Sequence, residues 1–277
     1  MNSENLKRGP FITTVSQYFS VLKALIKLCV WGTSLSSLVL LHRPNVAFEY
    51  LKIQLFNWQS IKGMGLPKRH INEIFEIPPR LQLDLLPTTG GYFSMENAAY
   101  VKDIIYLTIL CKVLSPRVIF EIGTLQGHTA SIFALNSAPE TTIYTLNLPP
   151  QGKVSSLPVT LVDSWHIEDR STVSFQYIDF EEGKKVQQLY GDSAVFDFSP
   201  YQNQVNLFFI DGAHSYDYVK SDTLKALSCM APESIIIWHD YGRWGVNGVS
   251  KWLHEYTKIE GKEVFRLHGS SLAIMKV

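Results

Sequence analysis

Four short stretches of strand character in this chain each lead into residues that can ionise. VIFE ends on Glu121 and opens the glycine turn IGTLQG. VQQLY is followed by GDS, which holds Asp192. VNLFFI is followed by DGAH, with Asp211 and His214, and SIIIW by HDYG, with His239 and Asp240. A carboxylate facing a glycine turn repels a diphosphate but accepts hydrogen bonds from an ammonium group or from hydroxyls. The turn reads E-x-G-x-x-x-G through Glu121, Gly123 and Gly127. It lacks the third glycine of the G-x-G-x-x-G loop that cradles a dinucleotide, so a dinucleotide oxidoreductase is disfavoured. The expected ligand is cationic or hydroxyl-bearing, and both glycines are expected to let the backbone approach it closely. Taken singly, Glu121 could be the capping residue of an ordinary turn, and each of the other groups a solvated loop charge.

The elements around these residues decide between the readings. From about residue 90 the chain alternates helical and strand patterns. Gly90–Gly91 reads as a turn, Ser94 as a helix N-cap and 95–113 as a helix. Strands are expected over 118–121, 142–146, 186–190, 205–210 and 234–238, and helices over 129–136, 216–229 and 249–257. VNLFFI is unbroken apolar, the mark of a strand covered on both faces. Residues 264–267 and 272–276 flank HGSS as a terminal hairpin. This alternation implies a doubly wound, mostly parallel α/β sheet of Rossmann-like type. Such a sheet gathers the loops beyond its strand ends at one crevice. Residues 149–184 make a long connection and are expected to form a lid or substrate wall.

The composition sets limits. The 277 residues carry 25 basic and 25 acidic side chains, so no net field recruits nucleic acid, and none is expected as a partner. Cys29, Cys111 and Cys229 are an odd number at wide spacing, read as buried free thiols in a reducing, cytoplasmic setting. Residues 24–41 are apolar but interrupted by Lys27 and diluted by Gly32, Thr33 and three serines. They fall short of the roughly 20 apolar residues a spanning helix needs, so membrane contact there is not expected. Residues 1–80 read as a helical N-terminal extension and 81–277 as the α/β domain. The extension could dimerise the chain, cap the crevice or touch a membrane, and the sequence leaves these open.

VIFEIGTLQGHTA, YTLNLP, LYGDS, LFFIDGAHSYDYVKSD and IIIWHDYG, in this order, resemble class I S-adenosylmethionine-dependent methyltransferases, over about residues 88–277. The similarity is greatest to the small-molecule and sugar O-methyltransferases, the catechol-type and macrolide-sugar enzymes among them. The resemblance implies a seven-stranded sheet whose last strand is antiparallel. It implies S-adenosylmethionine as cofactor and a small molecule or glycosyl hydroxyl as acceptor. It places Glu121, Gly123, Thr124 and Gly127 at the methionine part of the cofactor, with Ser94 touching it from the loop before the first helix. Asp192 falls at the adenine amino group. Asn147 stands where the family has an acid on the ribose hydroxyls, which replaces a charge-assisted bond by a weaker one.

His214 matches the position of the general base in the catechol-type enzymes, and an imidazole near its reference pKa of ~6.5 is available as a base at neutral pH. The other reading of His214 is a helix-start residue bonded to backbone. Asp211, His239 and Asp240 fall where relatives hold Mg²⁺. An imidazole is a poor Mg²⁺ ligand, so three arrangements stay open. Asp211 and Asp240 could hold Mg²⁺ with water, all three could hold another divalent cation, or no metal binds and His239 acts as a second base or substrate contact. Trp165, His166, Asp169, Arg170, Tyr241 and Trp244 could wall the acceptor, or pack within irregular loops. A relative of this fold that binds the cofactor without catalysis, as a scaffold, is the competing function. Asp222 is expected to serve structure.

Overall fold

The structure, a computed structural model, describes residues 65–86, 98–150, 155–168, 175–243 and 245–277. The readings that rest on residues 1–64, including Cys29 and the apolar stretch 24–41, lie outside the described residues. So do Gly90–Gly91, Ser94, Asp169, Arg170 and Trp244, and the side chains of Trp165 and His166. No helix among the described residues is long and apolar enough to cross a membrane.

The strands are β1 (Lys68–Arg69), β2 (Val118–Ile122), β3 (Thr142–Asn147), β4 (Val186–Tyr190), β5 (Val205–Ile210), β6 (Met230–Trp238), β7 (Phe265–Leu267) and β8 (Ala273–Lys276). They form one sheet in the order β1-β7-β8-β6-β5-β2-β3-β4. The helices are α1 (Ala98–Leu114), α2 (His128–Asn136), α3 (Leu161–Glu168), α4 (Tyr216–Cys229) and α5 (Asn247–Glu260). Strands β2 to β6 run parallel, and β8 pairs antiparallel to both β6 and β7. The Rossmann-like sheet and its reversed last strand are therefore as expected, with an eighth strand added. β1 pairs parallel with β7, Lys68 opposite Arg266 and Arg69 opposite Leu267. Two residues carry no readable period, which is why the sequence did not announce this strand. The compact unit that holds the sheet runs from Gly65 to Val277, so it begins earlier than the boundary expected after residue 80.

Alternation along the strands sends side chains to opposite faces. Phe120, Ile122, Phe208, Ile210, Ile236 and Trp238 meet Val219 and Ala226 of α4 and Trp252 and Leu253 of α5. Ile119, Leu207, Phe209, Ile235 and Ile237 face the other way, onto Leu107 and Leu110 of α1 and Ile132 and Phe133 of α2. Both faces are covered, as the VNLFFI run of β5 requires. Cys111 and Cys229 are buried free thiols within these layers.

The register sets the rim. Ile122 lies opposite Leu146 and Ile210, and Ile210 opposite Trp238. The residues just beyond, Gly123, Asn147, Asp211 and His239, therefore leave the sheet at one level.

Phe120 is fully buried among Phe208, Phe198 and Tyr201, with ring centroids 5.0, 5.3 and 5.0 Å away. Phe120→Ala is expected to cost about 3–5 kcal/mol, because the stacked rings cannot collapse into the space. A urea denaturation curve with a lowered midpoint and an unchanged slope checks this, and a loss below about 1 kcal/mol contradicts the packing described.

Candidate active site

A cavity of about 410 Å³ opens at the carboxyl ends of β2 to β6. Gly123, Thr124, Asn147, Asp192, Asp211, His214, His239 and Asp240 line it, with Tyr218, Asp163 and Arg243. Seven of these lie at strand ends or just past them, as the sequence reading requires, and His214 three residues on. Glu121 and Gly127 are not among the lining residues.

Glu121 is 1 % exposed and lies beneath the turn. Gln188 Nε2 donates to Thr124 Oγ1 (3.2 Å), Thr124 and Thr145 share a 2.7 Å bond, and Thr145 Oγ1 donates to Glu121 Oε2 (2.5 Å). Burial pushes the Glu121 carboxyl up to about 8, against the lowering effect of the Thr145 bond and with the help of Asp211. Glu121 thus anchors Thr124, which reaches the cavity. The glycines also serve the fold in a way the sequence reading did not foresee. Gly123 has φ +101°, and a Cβ there would lie 2.0 Å from the backbone oxygen of Asp211. A Cβ on Gly127, at φ +75°, would meet the Tyr177 ring at 2.8 Å. Their missing side chains make room for protein, and only Gly123 borders the ligand space.

Asp192 accepts from Ser156 N (2.6 Å), Ala194 N (2.9 Å) and Tyr218 OH, which is 3.0 Å from both carboxylate oxygens. Burial opposes its ionisation, but these donors outweigh it and lower its pKa. Ser156 comes from the segment between β3 and β4, of which Ser155, Val159, Val162 and Asp163 line the cavity.

The end of the cavity beside β5 and β6 is a run of alternating charges. His214 Nδ1 lies 2.6 Å from Asp163 Oδ1, and its backbone N–H donates to Asp163 Oδ2 at 3.1 Å. His214 Nε2 lies 2.9 Å from Asp240 Oδ2 but out of line for a hydrogen bond. Burial disfavours the imidazolium, yet Asp163 and Asp240 outweigh it and push His214 up to about 10. His239 Nδ1 is 2.8 Å from Asp211 Oδ1, and its Nε2 is 3.3 Å from Asp103 Oδ2. Burial again opposes the charge, and Asp211, Asp240 and Asp103 hold the His239 pKa well above the ordinary histidine value. Arg243 reaches Asp240 Oδ1 (2.9 Å) and Asp103 Oδ2 (3.3 Å). Asp240 itself sits at φ +58°, a left-handed conformation that aspartate tolerates better than most residues.

The potential metal ligands that come together among the described residues are Asp211, His214 and Asp240, with ligand atoms within 4.8 Å of one another. The expected set had His239 in place of His214. The ring nitrogens of His239 face Asp211 and Asp103. Asp103, Asp163, Tyr218 and Arg243 were not foreseen. Asp103 interrupts the apolar face of α1, and that was its available signal. Thr160–Asp163 has the T-x-x-D spacing of a capping box, which says nothing of His214. Tyr241, an expected pocket aromatic, is buried and bonded to Leu66 N (2.7 Å) and His254 Nε2 (2.6 Å), so it serves packing. Asp222 is fully buried, and desolvation raises its pKa to about 7.

These shifts have a signed effect on stability. Between its ordinary value of 4.5 and about 8, folded Glu121 keeps a proton that the unfolded chain has released, so stability falls as pH rises through that window. Asp222 acts in the same sense from 3.8 to about 7, and His214 from 6.5 to about 10. The lowered pKa values of Asp163 and Asp240 act oppositely, adding stability that is lost only in acid. Glu121→Gln is expected to reduce the fall in unfolding free energy between about pH 5 and 6.5, below the histidine window. Denaturation curves across that range check it, and an unchanged slope would contradict a protonated Glu121.

Residues 120–241 match a family model described as a methyltransferase domain. No curated protein matches the chain. Among solved structures, the chain is similar to cofactor-bound Rv0187 from MTB, at 13 % identity over 70 % of this chain and 84 % of that one, with a TM-score of 0.46. It is similar to the O-methyltransferase TomG from Streptomyces achromogenes, solved with SAM, at 16 % identity over 64 % and 79 %, TM-score 0.44. The calicheamicin methyltransferase CalS11 gives 16 %, 64 %, 79 % and 0.44 in the same order. The matched segment begins in β2, ends just past β6 and holds the glycine turn, Asp192, Asp211, His214 and Asp240. Over that segment, under half of its length, the chain is similar to a methyltransferase domain.

Proposed function

We propose that the protein transfers the methyl group of S-adenosylmethionine to a hydroxyl of a small molecule or a sugar. The observation that supports this reading best is one cavity lined both by Gly123, Asn147 and Asp192 and by Asp211, His214 and Asp240. Its volume suits a nucleoside-sized ligand. Its carboxylates suit a ligand that carries a sulfonium and an ammonium. Asn147 at the end of β3 offers an amide to ribose hydroxyls, and Asp192 and Thr124 complete the cofactor side. When bound, the cofactor supplies an electrophilic methyl group.

The chain's own work is to align the acceptor and to take its proton. His214 Nε2 and Asp240 Oδ2, 2.9 Å apart, are the pair placed for that. Since His214 titrates at about 10, its base form is scarce at neutral pH and grows as pH rises. Asp211, His214 and Asp240 also fit a divalent ion, because His214 Nε2 is buried without an aligned partner and the three ligand atoms converge. The imidazole shifts the preference from Mg²⁺ toward the transition metals, with Mn²⁺ suited to the two carboxylates. Such an ion would polarise the acceptor oxygen as a Lewis acid.

One observation favours a second reading. Both catalytic-end histidines are tied to carboxylates, a state that would also suit a cofactor-binding module without catalysis. Titration calorimetry with S-adenosylhomocysteine is expected to show one site, and Asp192→Ala to weaken it roughly tenfold or more. Labelled S-adenosylmethionine is expected to methylate at least one member of a panel of sugars and phenols. Its rate should rise with pH toward the His214 value. Added Mn²⁺ should move that limb to lower pH, because an ion held by Asp211, Asp240 and His214 Nε2 would compete with the proton for that nitrogen. Binding without transfer across the panel would support the scaffold reading, and no binding would sink both.

A further inference from the structure

The wall segment between β3 and β4 contributes one carboxylate to the reaction end. Asp163 stands at the start of α3, and every partner of its Oδ2 is a donor. Its Oδ2 accepts from Thr160 N (3.0 Å), Thr160 Oγ1 (2.7 Å) and His214 N (3.1 Å). Its Oδ1 faces His214 Nδ1 at 2.6 Å. Asp163 is 5 % exposed. Three donors converging on one oxygen are the surroundings of an ionised carboxylate. An ionised carboxylate can only accept, so the ring must present an N–H at Nδ1. That leaves Nε2, beside Asp240, as the nitrogen whose proton can come and go.

We infer that Asp163 is a positioning residue that fixes His214 with a proton on Nδ1 and Nε2 toward the acceptor. The inference rests on the methyltransferase reading for its effect on rate, but the tautomer itself does not depend on that reading. It also ties the catalytic imidazole to the wall. The same segment that bonds Asp192 through Ser156 sets the ring of His214 through Asp163, so both ends of the cavity are ordered by one piece of chain.

A bland role is available, and it makes a different prediction. Thr160 and Asp163 form a reciprocal cap, with Asp163 N donating to Thr160 Oγ1 at 3.2 Å, so Asp163 could serve α3 alone. The substitution Asp163→Asn separates the two. Three donors converge on the Oδ2 position, so the asparagine oxygen must sit there and keep the cap. Its NH₂ then points at His214 Nδ1, which has to become an acceptor. The ring proton moves to Nε2 and blocks the nitrogen that has to act as base or ligand.

The test uses the full chain with ¹⁵N-labelled histidine. Above the His214 value of about 10, where the ring is neutral, long-range ¹H–¹⁵N spectra of the wild type are expected to show Nδ1 protonated and Nε2 bare, and those of Asp163→Asn the reverse. His214→Asn identifies the signal. Methyl transfer by Asp163→Asn is expected to fall by roughly 10²-fold or more in kcat, in the range of a misplaced general base. Binding of S-adenosylhomocysteine should change by less than about twofold. Thr160→Ala, which removes the cap but not the ring contact, is expected to lower Tm while keeping the wild-type tautomer and kcat within about threefold. A bare Nδ1 in the wild type, a protonated Nδ1 in Asp163→Asn, or equal losses of kcat in Thr160→Ala and Asp163→Asn would each overturn the inference. If the wild type transfers no methyl group to any acceptor, the functional reading fails while the tautomer comparison still decides the positioning role.

Discussion

Four carboxylates cannot share one dry rim unless cations stand between them. Asp103, Asp163, Asp211 and Asp240 are brought together by α1, the wall segment and the ends of β5 and β6. His214, His239 and Arg243 are interleaved among them at 2.6 to 3.4 Å. Unpaired buried charge is costly, so this alternation is the condition under which the cavity can exist at all. It also governs the chemistry. A histidine between two carboxylates is held protonated and oriented, and its value as a base depends on what relieves that hold.

The sheet supplies the geometry. β2, β3, β5 and β6 end in register, so the chain can place a glycine turn, an amide, an acid and an imidazole at one level without any special loop. Beneath the rim, Gln188, Thr124, Thr145 and Glu121 form one hydrogen-bonded chain that fixes the hydroxyl of Thr124. The roles of the conspicuous residues thereby shift. Glu121 works from below, and Gly123 and Gly127 admit protein atoms.

How much of this was readable beforehand follows from the reach of each signal. Strands β3 to β6 and helix α4 stood out because apolar periodicity and turn residues are local, and the acids and histidines after them were legible for the same reason. β1 was not, because two residues have no period. Pairings across the fold were not, either. His214 and Asp163 are 51 positions apart, and nothing in the composition of the wall segment distinguishes Asp163 from its polar neighbours. The exchange of His239 for His214 among the potential metal ligands has the same origin. Position after a strand says that a side chain reaches the rim, but only the partners on other elements say which nitrogen is left open. Asp103 is a partial exception, since an acid on the apolar face of α1 asks for a buried partner.

The central claim is that one cavity joins a nucleoside-binding half to a charged acceptor half. A crystal structure of the full chain with S-adenosylhomocysteine tests it most directly. The account predicts the nucleoside between Asn147 and Asp192, the amino-acid part over Gly123 and Thr124, and the sulfur turned toward His214 and Asp240. A ligand bound on another face of the sheet, or a cavity closed by side chains with Asp192 and Asp240 apart, would contradict it.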